Sequence, residues 1–207
     1  GGGSNKTNRQ EITVEVAATD LKASMVGNLS RDALIAKIKV ESQTVSFEDD
    51  PRLETFSAMF HRLYQKDLSS TYFMSSRPNY SKIQGVGTMF KARVYSSNVF
   101  DNERYSIPTR GEKDLSLEER NSVVVDMLPE FEKVFKENMV SYARTIRDMD
   151  KNESILFEVR MTECKGCYEF PKYINFSVKQ EVLDQFNKGK LSFEQAVGKV
   201  SVERRGA

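Results

Sequence analysis

Apolar and polar positions alternate along this chain with two different periods, and the period predicts each element. Ile12, Val14 and Val16 alternate with Thr13 and Glu15, which predicts a half-buried strand. Ser30 precedes Leu34, Ile35 and Ile38 at helical spacing, and Lys39 to Phe47 alternates again as a second strand. Asp50-Pro51 predicts a helix start, a capping carboxylate followed by proline at the first helical position. Leu53, Phe56, Met59, Phe60, Leu63 and Tyr64 then share one apolar arc. Lys66 to Ser81 reads as loop. Val86, Phe90, Ala92 and Val94 fall on one face of a strand, with Gly85 and Gly87 marking a bulge or a close backbone approach where it begins. Asn98 to Leu115 is polar and holds Pro108 and Gly111, which predicts a long surface excursion.

The strongest pattern follows. Ser116 and Glu119 form a capping box, in which each side chain accepts a hydrogen bond from the other residue's free backbone N–H. Val124, Met127, Leu128, Phe131, Val134, Phe135, Met139, Tyr142, Ile146 and Met149 then lie in one broad stripe, with Pro129 on the opposite side. Proline on a solvent face bends a helix without disturbing its register, so the stripe predicts one long curved helix or two meeting at Pro129. Ile155, Phe157, Val159 and Met161 alternate as a strand with Glu158 and Arg160 outward, and Ile174, Phe176 and Val178 alternate as its hairpin partner. A helix is predicted from Gln180 to Asn187, a second capping box at Ser192 and Gln195, and a last strand from Val200 to Glu203. The sum is an α+β domain over residues 11–207, a mainly antiparallel sheet packed against one long curved helix and shorter helices. The opening GGGSNKTNRQ, residues 1–10, reads as a flexible linker or an expression scar.

Composition narrows the function classes. With 31 basic and 30 acidic side chains among 207 residues, no basic run has the density of a phosphate-binding face, which argues against a nucleic-acid partner. No apolar run has the length of a transmembrane segment. GVGT lacks the spacing of a phosphate loop, and no cofactor motif is present. His61 is the single histidine and sits at the edge of its helix's apolar arc, so no Ser-His-Asp or Cys-His set assembles around it.

Both cysteines, Cys164 and Cys167, lie in ECKGCY at or near the predicted hairpin turn. Zinc would need ligands beyond this pair, and His61 alone remains, leaving carboxylates or a second subunit. A redox dithiol of the thioredoxin kind needs its first cysteine at a helix N-terminus, whereas YEFPKYINFSV reads as strand. A disulfide across the turn, or a pair of reduced structural thiols, is the remaining reading; the disulfide needs an oxidising compartment. Tyr72, Phe73, Met74 and Tyr80 form an aromatic stretch that is a partner-binding patch if exposed and a satellite of the core if tucked in.

Gly85, Gly87 and Phe90, then Tyr142 and the Ile155 to Met161 strand, carry one further signal. Here the chain resembles a group of exported bacterial envelope proteins in which a G-Y-G-hydrophobic-F strand precedes a long helix and a Tyr-Gly turn. Val86 and Ala143 stand where that group has the aromatic and the second glycine. The resemblance implies an exported, periplasmic protein connected with envelope sensing, and brings no catalytic residues. The expectation is a non-enzymatic module acting by protein–protein contact. The alternative is a metal-binding or dithiol redox protein using Cys164 and Cys167.

Overall fold

The computed structural model describes residues 10–14, 43–47, 50–143, 145–146 and 149–206. The helix expected after Ser30 lies outside them. β1 (Gln10–Val14) and β2 (Gln43–Phe47) pair antiparallel, as their alternation predicts. α1 (Pro51–Leu63) begins where expected: the Asp50 carboxylate accepts from the Arg52 N–H at 3.0 Å, and Leu53, Phe56 and Phe60 are buried along its inner face.

The stretch read as loop before the glycines contains two strands, β3 (Phe73–Met74) and β4 (Asn79–Ile83). Polar Asn79, Ser81 and Lys82 mask the pattern of β4, yet Ser81 and Ile83 point inward and Tyr80 pairs with Phe90 of β5 (Gly87–Tyr95). The excursion expected over Asn98 to Leu115 is a small three-stranded sheet of β6 (Asn98–Phe100), β7 (Arg104–Ile107) and β8 (Glu112–Leu115). Its strands are short and polar, and Ile107 alone is a fully buried apolar anchor in them. Gly111, at φ +70°, turns the chain from β7 into β8.

α2 (Leu117–Ala143) is one continuous helix of 27 residues with Pro129 exposed inside it. The capping box is present: the Ser116 N–H donates to Glu119 Oε1 at 3.1 Å, and the Glu119 N–H donates to Ser116 Oγ at 3.2 Å. The stripe outruns the helix, because the helix ends at Ala143 while Ile146 remains buried beyond it. β9 (Ser154–Arg160) and β10 (Tyr173–Lys179) pair antiparallel; α3 (Gln180–Asn187), α4 (Phe193–Gly198) and β11 (Ser201–Arg205) complete the fold. Ser192 and Gln195 cap α4 reciprocally, as expected.

The main sheet runs β1-β2-β4-β5-β9-β10-β11, with β3 also pairing β5. All its neighbours are antiparallel except β5 and β9, which run parallel from Gly87 opposite Ser154 to Arg93 opposite Arg160. This α+β arrangement is the one the sequence predicts. Gly87 is required for the parallel pairing: a Cβ there would lie 1.9 Å from the Ser154 carbonyl oxygen, and its φ is +137°. One expectation for β9 fails. Glu158 is buried beside Arg205, 3.7 Å away, because both faces of this central strand are covered and only Arg160 emerges.

α1 and α2 cover one face of the sheet through stacked and edge-on rings. Phe60 lies 4.8 Å from Phe157, Phe135 lies 4.3 Å from Phe176, and the two helices meet at Phe60–Phe135, 5.4 Å apart. Such pairs add about 0.5–1.5 kcal/mol each beyond their area burial. β11 is tied back to α2 by Arg204, whose Nε donates to Glu132 Oε1 at 2.6 Å and whose Nη2 donates to Oε2.

Candidate functional site

The carboxyl ends of the parallel pair, β5 and β9, open into a groove. Arg93, Val94 and Tyr95 close β5, Arg160 closes β9, and the first turn of α2 adds Leu117 and Arg120. Val99 and Tyr105 of the small sheet form one wall, and the strap Met161 to Lys165 forms the other. The groove's volume is about 630 Å³.

Arg120 occupies an inward position on the α2 stripe, one turn before Val124, and is only 5% exposed. Its three nitrogens hold the groove together. Nε donates to Ser97 Oγ at 3.0 Å, Nη1 to Asn121 Oδ1 at 2.9 Å, and Nη2 to the Glu163 carbonyl at 2.6 Å. Its guanidinium lies 5.4 Å from the Tyr105 ring centre, a cation–π distance. Both terminal nitrogens keep a second N–H. Among the described residues no carboxylate lies within ion-pair distance of Arg120, Arg93, Arg160 or Lys165. Burial pushes the Arg120 pKa down, with the nearby Tyr105, Tyr72 and Glu163 opposing the shift. An arginine stays charged under such a shift, so the groove keeps a desolvated positive charge at its base. Four cations therefore line it against the single carboxylate of Glu163.

The strap is braced twice. Arg120 and Asn121 hold it from α2, the latter through Nδ2 to the Lys165 carbonyl at 2.9 Å. Cys164 and Cys167 are joined as a disulfide with their Cα atoms 5.4 Å apart, across a turn in which the Cys167 N–H donates to the Cys164 carbonyl at 3.1 Å. A second hollow of about 470 Å³ lies beyond the strap, lined by both cysteines, Phe170 and Tyr173. With the sulfurs bonded to each other, neither is a thiolate ligand. Cys167 leads through coil into β10, so neither cysteine opens a helix, although Cys164 Sγ lies 3.6 Å from Asn121 Oδ1 near the start of α2. His61 sits half-buried on α1, apart from this strap.

The aromatic stretch does not form a surface. Tyr72, Phe73 and Met74 are buried and Tyr80 is half-buried. The Tyr72 hydroxyl donates to the Val124 carbonyl at 2.6 Å and its ring meets Phe131 edge-on at 4.9 Å. Tyr80 donates to Glu54 Oε1 at 2.9 Å and stands 6.0 Å from Phe90. Their apolar rings gain more by filling the space between β5 and the helices than by facing water. Among the described residues the exposed large apolar side chains are Leu68, Val99, Phe100, Leu117, Val125 and Tyr168, of which Val99 and Leu117 line the groove.

At the opposite end of the parallel pair a hollow of about 390 Å³ is lined by Asp50, Lys82, Gly87 and Glu153. Burial alone would raise the Asp50 carboxyl, but the Lys82 ammonium, 2.9 Å away, and the Arg52 amide hold it below its ordinary value. Burial pushes Glu153 up, a backbone hydrogen bond at Asp150 opposes the rise, and the Asp150 carboxylate adds to it. These acids serve the α1 cap and the β9 approach, which leaves the cationic groove as the site with unmatched charge.

The sequence reading missed this groove because its cations come from β5, α2, β9 and the turn, never from one run. The available signal was Arg120 itself, a charge on an otherwise apolar stripe. Comparison with protein-family models, curated proteins and solved structures finds no match to this chain. Fold and site together define an α+β protein with a disulfide-braced, positively charged groove at the end of its sheet.

Proposed function

We propose that this chain is a non-enzymatic module of the bacterial periplasm or cell envelope that acts through protein–protein contact, with envelope sensing as the role its resemblance implies. One observation carries the reading: Val99 at 67% and Leu117 at 37% exposure line the braced groove, and Phe100 at 49% and Tyr168 at 86% follow Val99 and Cys167 in the chain. Apolar and aromatic groups beside a rigid polar site are what contact surfaces offer. The Cys164–Cys167 disulfide supports an oxidising compartment. Among the described residues no helix is long and apolar enough to cross a membrane.

The test places a photo-activated cross-linking residue at Val99, at Tyr168 or, as control, at the exposed Val125 on α2. Protein adducts at the first two positions and not at the third are expected. Equal labelling at all three, or free thiols at Cys164 and Cys167 in protein recovered from its native compartment, would overturn the reading. A second reading, a dithiol redox protein, rests on the disulfide itself; a strongly acidified thiol at either cysteine after reduction would favour it.

A further inference from the structure

We infer that the groove reads carboxylates: Arg93, Arg120, Arg160 and Lys165 bind an acidic, extended segment of the partner protein, with Val99 and Leu117 as its apolar wall. This rests on the protein-contact reading and specifies the partner's chemistry.

Charge complementarity carries it. Arg93 and Arg160 are direct neighbours across the parallel pair, so like charges are held side by side with no acid between them. Such a pair is unfavourable in the free protein and is relieved by an anion laid across it. Arg120 adds a charge already stripped of water, on a planar guanidinium fork whose three nitrogens also hold Ser97, Asn121 and the Glu163 carbonyl. Lys165 extends the positive line onto the strap, whose backbone is fixed by Asn121 and the disulfide. A binding surface held rigid in advance loses little freedom on association.

The arrangement fits several carboxylates along a chain better than one phosphate. Phosphate sites use backbone N–H groups at a helix start, but the start of α2 is occupied by its own Ser116–Glu119 box, including the Glu119 carboxylate. What remains is side-chain charge spread over four elements, with a second hollow beyond the strap.

Fluorescence anisotropy with a labelled hexaglutamate peptide tests this, using hexaglutamine, inorganic phosphate and phosphatidylglycerol vesicles as the other arms. Hexaglutamate is expected to bind and hexaglutamine not to, with affinity falling at least tenfold between about 20 mM and about 200 mM salt. Arg93→Gln and Arg160→Gln, both at exposed positions without ion pairs, are each expected to weaken binding about fivefold while leaving the far-UV spectrum unchanged. Arg120→Lys, which keeps the charge and loses the fork, is expected to weaken it as well. Equal binding of both peptides, undiminished binding by the Arg93→Gln/Arg160→Gln double variant, or stronger binding of phosphate or of the vesicles would overturn the inference. A Val99 protein adduct together with no hexaglutamate binding sinks this inference and leaves the contact reading standing.

Discussion

Arg93 and Arg160 face each other across the parallel neighbours β5 and β9, two guanidinium groups at the mouth of the groove with no described carboxylate to separate them. A sheet that only had to be stable would place opposite charges there.

Arg160→Glu reverses that choice. It creates a cross-strand ion pair with Arg93 and is expected to raise the urea midpoint by the equivalent of about 0.2–1 kcal/mol. The same variant is expected to abolish hexaglutamate binding. Denaturation and anisotropy on one sample measure the opposed effects.

Gly87 and Gly85 separate two reasons for glycine. Gly87→Ala puts a methyl group into the Ser154 backbone and is expected to cost more than about 3 kcal/mol or prevent folding. Nothing lies within 4 Å of a Cβ at Gly85, whose φ of +78° leaves only a conformational penalty of about 1 kcal/mol for Gly85→Ala. Urea titration of the two variants compares them directly.

Removing Arg204 strands the Glu132 carboxylate, 8% exposed on α2. Because Arg204 itself is about half in water, Arg204→Met is expected to cost about 2 kcal/mol rather than the larger loss of a fully buried pair. Glu132→Gln in the same background is expected to recover part of it, a double-variant cycle read by urea midpoints.

Asp50 and Glu153 give pH effects of opposite sign. Asp50 is held below its ordinary 3.8, so its contribution is present above that value and lost on acidification through the lower folded one. Asp50→Asn is expected to be less stable than wild type near about pH 7, with the difference shrinking as pH falls below 3.8. Glu153 is held above its ordinary 4.5, so its contribution is present below that value and lost as pH rises through the folded one. Glu153→Gln is expected to match wild type at about pH 4 and to exceed it near about pH 7. Thermal melts across this range measure both.

Reduction of Cys164–Cys167 frees a very short loop. The expected loss is about 2 kcal/mol at most, with the fold retained, since chain-entropy stabilisation grows with loop length. Urea unfolding with and without a phosphine reductant measures it, and a weaker hexaglutamate complex after reduction would show the brace acting on Lys165.

Local signals were the legible part of this fold. Asp50-Pro51, the Ser116–Glu119 box and the Ser192–Gln195 box each announce a helix within a few residues, and each is present. β4 and the β6–β8 sheet were not legible. Strands of three to five residues with two buried positions, as in β4 and β7, or none, as in β6 and β8, carry too little alternation to stand out from loop. The disulfide was foreseen as one option from spacing alone. The groove was not, because Arg93, Arg120, Arg160 and Lys165 converge only once β5 and β9 lie side by side. Tyr72 shows the converse: an aromatic run looks like a surface motif until Val124 and Phe131 are placed against it.

The parallel pairing of Gly87 to Arg93 with Ser154 to Arg160 has a further consequence, because the strand that seats the helices comes from late in the chain. During synthesis both α1 and α2 precede Phe157, which stacks against Phe60 and Phe135. Until then α1 rests on Phe90 of β5 and α2 on Tyr72, while Phe135 lacks both of its strand partners, Phe157 and Phe176. A protein truncated ahead of Ser154 keeps its longest helix and loses the seat that helix was made for.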